Sequence, residues 1–182
     1  MQKLTLIALF VFQLFIFNAN SQEVKVNPPK IDRLSLGVGF GQEYGGIGGI
    51  GGNLSVFLSK NIGIFAALGK NSDVSFMGAN AGFKIRSVPK NTNQKMFFYI
   101  SGMFGTNGVI SMKNSTSYDR AFFGPSLGLG FDLRPNPGRY KSHWSIGITI
   151  PFRTIEYDQY LKKYSGTDGL PFVLAIGYKL GI

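Results

Sequence analysis

From Leu34 to Ile182 apolar side chains recur at every second position, in runs broken by Gly, Asn, Pro, Ser and Lys. Leu34, Leu36, Val38 and Phe40 alternate with Ser35, Gly37, Gly39 and Gly41. A period of two sends the two sets to opposite faces of a strand. The code returns in Leu54, Val56 and Leu58, and after the tight turn Ser59-Lys60-Asn61 in Ile62, Ile64, Ala66 and Leu68, with Phe57 and Phe65 intruding on the small face. It returns again from Met77 to Ile85, Phe123 to Leu133, Trp144 to Phe152 and Phe172 to Ile182. Residues 96–105 are apolar on both faces, so their parity is ambiguous; the reading taken is Phe98, Ile100 and Phe104 outward with Tyr99 and Ser101 inward. This reading predicts about eight strands, each near the 9–11 residues of a tilted membrane strand. Helical periodicity is absent after the N-terminal segment, apart from half a turn in Glu156–Tyr164.

The face opposite the apolar one carries Gly, Ser, Ala and Asn, with isolated charges at Lys84, Arg86, Asp132, Arg134, Arg153 and Lys179. A solvated exterior would carry charge freely, so this composition describes a crowded polar interior. Eight strands closed into a barrel have an interior just wide enough for side chains. Closure also removes the unpaired strand edges that lipid penalises. The prediction is an all-β fold: an eight-stranded antiparallel up-and-down transmembrane β-barrel over residues 34–182. Connections at 59–61, 87–95 and 135–142 are short to moderate. Those at 42–49, 107–120 and 154–169 are longer or more polar, with 70–75 as a short exception, the asymmetry of periplasmic turns and extracellular loops. Phe40, Tyr44, Phe123, Trp144, Phe152, Phe172 and Tyr178, near the strand ends, are predicted to form interfacial girdles.

The N-terminus fits an exported chain. Lys3, an apolar stretch from Leu4 to Phe17 and Ala19-Asn20-Ser21 read as a signal peptide, residues 1–21, and the stretch is shorter than the roughly 20 residues of a membrane helix. Residues 22–33, with Pro28-Pro29, read as an extended periplasmic leader. The absence of cysteine excludes disulfides, thiolate metal sites and thiol catalysis. Net charge is +10, which in an exported protein favours anionic headgroups over nucleic acid.

One motif competes with this reading. Gly46-Ile47-Gly48-Gly49-Ile50-Gly51 matches the G-x-G-x-x-G dinucleotide fingerprint in letters. The fingerprint needs a helix immediately after it and an acid about 20 residues on. Here Asn53–Leu58 follows, in strand code, and the glycines are expected to form the first extracellular loop. His143-Trp144-Ser145 resembles the His-x-Ser pair of outer-membrane lipid A deacylases, but the strand count puts His143 at the periplasmic end, away from the outer leaflet. A turn histidine is the expectation. Among the six inward charges only Asp132 is acidic, so leader acids such as Glu23 or Asp32 are expected to reach the interior, because buried charges must be paired. No metal site and no cofactor is expected.

The whole alternating segment resembles the small outer-membrane β-barrel proteins often grouped as porin-like. Gly177, Leu180 and Ile182 resemble the C-terminal signal read by the barrel-assembly machinery, with Ile182 where that family usually ends on Phe. The resemblance implies a cell outer membrane location, contact with outer-membrane lipids and a non-enzymatic structural or surface-interaction role. An extracellular partner would be met through residues 107–120 and 154–169. The alternatives are a narrow channel for small solutes and, further behind, a lipid-modifying hydrolase.

Overall fold

The computed structural model describes residues 32–71, 77–87, 94–110, 119–134, 142–165 and 170–182. The expected signal peptide and all of the leader except Asp32 and Arg33 lie outside these residues. Eight strands, β1 (Leu34–Phe40), β2 (Ile50–Phe57), β3 (Ile62–Lys70), β4 (Met77–Arg86), β5 (Met96–Ile110), β6 (Arg120–Leu133), β7 (Ser142–Pro151) and β8 (Val173–Gly181), pair in sequence order, and β8 closes on β1. Every pairing is antiparallel, and the seam runs from Ser35 opposite Gly181 to Phe40 opposite Ile176. The result is a closed up-and-down barrel with no free strand edge.

The period of two decides which way each side chain points. Val38, Leu68, Phe104 and Leu174 on the outer wall are each more than 60% exposed, whereas Ser35, Asn53, Ser101, Ser145 and Thr149 on the inner wall are almost wholly buried. The ambiguous strand β5 has Phe98 and Phe104 outside and Tyr99 and Ser101 inside. The glycines of the inner face make room for two tyrosine rings. A Cβ on Gly177 would lie 2.2 Å from the Tyr44 ring, and one on Gly130 would lie 2.5 Å from that of Tyr99.

Three connections differ from the sequence reading. Gln42–Gly49 does not project outward as a loop. Gly41 and Gly45, at φ of 93° and 85°, reverse the chain into the barrel, and Gln42–Tyr44 form a 3-10 turn inside it. Of the segment 107–120, residues 107–110 belong to β5 and Arg120 opens β6, with a register slip between Thr106 and Gly108, while 111–118 lie outside the described residues. That bulge adds a residue on one strand only, so Thr106, Asn107 and Gly108 are all buried and the alternation that marks a strand is lost. The segment 154–169 contains a full helix, α1 (Ile155–Ser165). The Thr154 hydroxyl accepts the Tyr157 amide at 3.3 Å, acids at Glu156 and Asp158 open the helix and Lys162 and Lys163 close it. Tyr157, Tyr160, Leu161 and Tyr164 share one face, which packs on Ile110 and Phe122 of the β5–β6 hairpin.

The glycine run at 46–51 is a close-packed return to β2, with no helix after it. A Cβ on Gly49 would fall 1.7 Å from the Lys70 carbonyl oxygen and one on Gly51 1.7 Å from that of Tyr44, both fixed backbone atoms. At Gly52 the nearest atom is 3.7 Å away. Gly51→Ala is therefore predicted to destabilise the barrel by about 1–3 kcal/mol, the cost of overpacking, and Gly52→Ala by no more than about 0.5 kcal/mol. Urea unfolding of the refolded barrel, followed by the single tryptophan Trp144, measures both; equal midpoints for the two variants would contradict the assignment.

Candidate functional site

The interior holds a layered set of ion pairs and polar contacts built on three acids. Nearest the end that carries Leu34 and Gly181, the Asp32 carboxylate lies 3.5 Å from Arg86 and 3.2 Å from Arg134, and its backbone carbonyl accepts Arg86 Nη2 at 2.8 Å. Deeper, Asp132 faces His143 at 3.6 Å. Deeper still, Glu43 of the inward turn accepts Lys84 Nζ at 3.0 Å and the Ser101 hydroxyl at 3.2 Å, with Lys179 Nζ at 3.7 Å. All these side chains are at least 95% buried, so each charge depends on its partner rather than on water.

Inward aromatic rings share the task of stabilising the cations. Arg86 lies over Phe57 at 3.4 Å, Lys84 over Tyr99 at 3.6 Å and Arg134 over Phe97 at 4.8 Å from the ring centroids. The Phe57 that broke the small-residue pattern is therefore the platform for a lumen arginine. The turn is held by amides as well as by charge. Gln42 Nε2 donates to Ser126 Oγ at 2.7 Å and to the Thr106 carbonyl at 3.0 Å, while Asn53 and Asn80 donate to the backbone carbonyls of Glu43 and Gln42, each at 2.8 Å. A loop held from β2, β4, β5 and β6 acts as a stopper across the barrel.

The structure thus brings Lys84, Arg86, Asp132, Arg134 and Lys179 together inside the barrel. Arg153 stands apart. It is half-buried at the far end, where its Nε donates to the Asn107 carbonyl at 3.4 Å, its Nη1 donates to the Leu170 carbonyl and its guanidinium lies 4.7 Å from the Tyr157 ring. Burial raises the Tyr157 hydroxyl above its ordinary pKa, against the pull of Arg153.

Of the aromatics expected at the interfaces, Phe40, Phe123, Phe152, Phe172 and Trp144 are exposed on the outer wall, and Tyr178 is half-buried there with its ring 5.2 Å from that of Trp144. Tyr44 is a correction: it is fully buried in the lumen, carried there by the glycine-flanked turn. Leu180 and Ile182 of the C-terminal stretch point outward, and Gly177 lies against Tyr44. His143 is also a correction, since it is a buried lumen residue rather than a turn residue, placed by the inward parity it shares with Ser145. Ser145 Oγ donates to the Tyr99 hydroxyl at 3.3 Å. Serine, histidine and acid are close together, but inside a sealed wall.

The acid missing from the sequence reading was Glu43. Two signals pointed to it: the excess of inward cations, and an acid bracketed by glycines at positions 41 and 45 that let the chain double back. Asp32 was among the leader acids expected to reach the interior, and it does so; Glu23 lies outside the described residues.

No family model and no curated protein sequence matches the chain. Among solved structures it is similar to the N-terminal beta-barrel domain of Pseudomonas aeruginosa OprF, with a TM-score of 0.51 at 9% identity, over 84% of this chain and 98% of that one. At that identity the likeness is one of fold.

Replacing Glu43 by Gln would leave Lys84 and Lys179 buried without their acid. The predicted loss is about 3–5 kcal/mol, as for breaking a buried pair from one side, read as a lower urea midpoint of the refolded barrel. An unchanged midpoint would show that the stopper is held by its amides alone.

Proposed function

We propose that the chain is an outer-membrane β-barrel with a closed lumen, acting in a structural or surface-interaction role without catalysis. The observation that carries this reading is the inversion of the wall: all eight strands expose apolar side chains, while the ionised and amide side chains of the strands, apart from Lys70 and Arg120 at strand ends, are turned inside. Water is a poor solvent for such an exterior, and lipid is a good one. The basic, apolar and small-residue N-terminal segment supports export, and the short connections at 58–61, 87–95 and 134–141 support a periplasmic position for that end.

The stoppered interior favours this reading over an open pore, since Gln42, Glu43 and Tyr44 fill the cross-section that a solute would use. Burial also speaks against hydrolysis. His143 and Ser145 are 2% and 1% exposed, and a nucleophile must reach its substrate. On the proposed orientation the β5–β6 hairpin and α1 face outward from the cell. The exposed Arg120, Lys162 and Lys163, with the half-buried Tyr160 and Tyr164, offer a contact surface for an extracellular partner.

Fractionation of cells making the chain, followed by gels of boiled and unboiled samples, tests the reading. A membrane barrel is predicted to sediment with outer membranes and to migrate faster when unboiled. A soluble species with one mobility would overturn it.

A further inference from the structure

The outer wall is not uniformly covered. On β1–β3 and β8 it carries an apolar groove of about 520 Å³, floored by Gly52 and Ala66 and walled by Leu36, Leu54, Leu68 and Tyr178. That volume lies within the 300–1,000 Å³ range of small-molecule clefts. The contrast with the other outward glycine is informative. The dip at Gly102 is filled by the Phe83 ring, which would lie 2.5 Å from an added Cβ, whereas the dip at Gly52 is left open with nothing nearer than 3.7 Å. Gly52 has no positive φ and no steric need to be glycine, so the fold would accept a side chain that the groove lacks.

Above the same three strands, at the end carrying the chain's first described residues, stand two exposed cations. Arg33 sits beside the end of β2, its carbonyl accepting the Phe57 amide at 2.7 Å, and Lys60 occupies the β2–β3 turn. The acid nearest in sequence, Asp32, is buried and engaged with Arg86 and Arg134. Between the cations and the groove the wall presents Leu34, Val56, Leu58, Ile62 and Ile64, all apolar and all but the half-buried Leu34 exposed. Positive charge at headgroup depth above an unfilled apolar cleft is the complement of one molecule: a negatively charged head on a long acyl chain.

We propose that this face binds one anionic glycerophospholipid of the adjacent leaflet, with its phosphate-bearing headgroup on Arg33 and Lys60 and an acyl chain seated in the groove over Gly52 and Ala66. The inference rests on the membrane reading above. It extends that reading from generic solvation by lipid to a selective site. The half-buried Tyr178 closes one side of the cleft, and its ring pairs with Trp144 as an interfacial anchor.

The test uses the full mature barrel refolded into vesicles of equimolar phosphatidylglycerol and phosphatidylethanolamine. Unboiled gels report folding, and native mass spectrometry after mild detergent release counts retained lipids. One phosphatidylglycerol per barrel is predicted, in clear preference to phosphatidylethanolamine. Arg33→Gln with Lys60→Gln should lower that preference by about 25-fold, roughly fivefold for each charge. Gly52→Leu should fill the groove and abolish retention of either lipid, and Lys95→Gln, a rim cation just before β5 and away from the groove, should change nothing. Equal retention of the two lipids, or unaltered retention in Gly52→Leu, would overturn the site. So would dimers that Gly52→Leu disperses, since a second copy would then be the occupant. A chain that gives no fast unboiled band in vesicles would instead fail the membrane reading, and the site with it.

Discussion

Eight strands closed edge to edge enclose a space only as wide as a few side chains, and any charge placed in that space must be neutralised there. Most of the molecule follows from these two constraints. The wall must be thin where a large group enters, so glycines lie against Tyr44 and Tyr99. Each cation must meet an acid or a ring, so Asp32, Glu43 and Asp132 stand among Lys84, Arg86, Arg134 and Lys179, with Phe57, Phe97 and Tyr99 beneath the cationic groups. The apolar residues displaced from the interior then form the exterior.

The acids also close the barrel, and two of them come from outside the strands. Asp32 precedes β1, and Glu43 belongs to the connection after it. Both enter because the interior is otherwise too positive. The stopper is thus coupled to the charge balance of the wall: the same carboxylate that neutralises Lys84 and Lys179 draws Gln42 and Tyr44 across the lumen. At the far end the chain is covered differently, by the apolar packing of Tyr157 and Leu161 on Ile110 and Phe122, with an exposed Arg120–Glu156 pair that adds little.

Strand number, order and facing were legible in the sequence because a period of two leaves only two orientations for each run, as β5 illustrates with Phe98 outside and Tyr99 inside. Inward charges were legible by the same parity. What escaped the pattern was carried by long-range contacts. Glu43 and Tyr44 look like an exposed loop until the cations of β4 and β8 are brought beside them. Asn107 and Gly108 look like a turn until a bulge is recognised. His143 does lie at the start of β7, as the pattern had it, but its parity turns the side chain into the lumen instead of leaving it in a turn. The helix at Ile155–Ser165 was shortened to half a turn because its apolar face is tyrosine, whose polar tip weakens the amphipathic signal.

The central claim is a barrel, proposed to lie in a membrane, whose own first connection closes it. Single-channel recording of the purified, refolded barrel in planar bilayers tests that claim most directly. The account predicts current at the baseline of the protein-free bilayer, because Gln42, Glu43 and Tyr44 occupy the lumen. Stable, ohmic steps of conductance from the unaltered chain would contradict it.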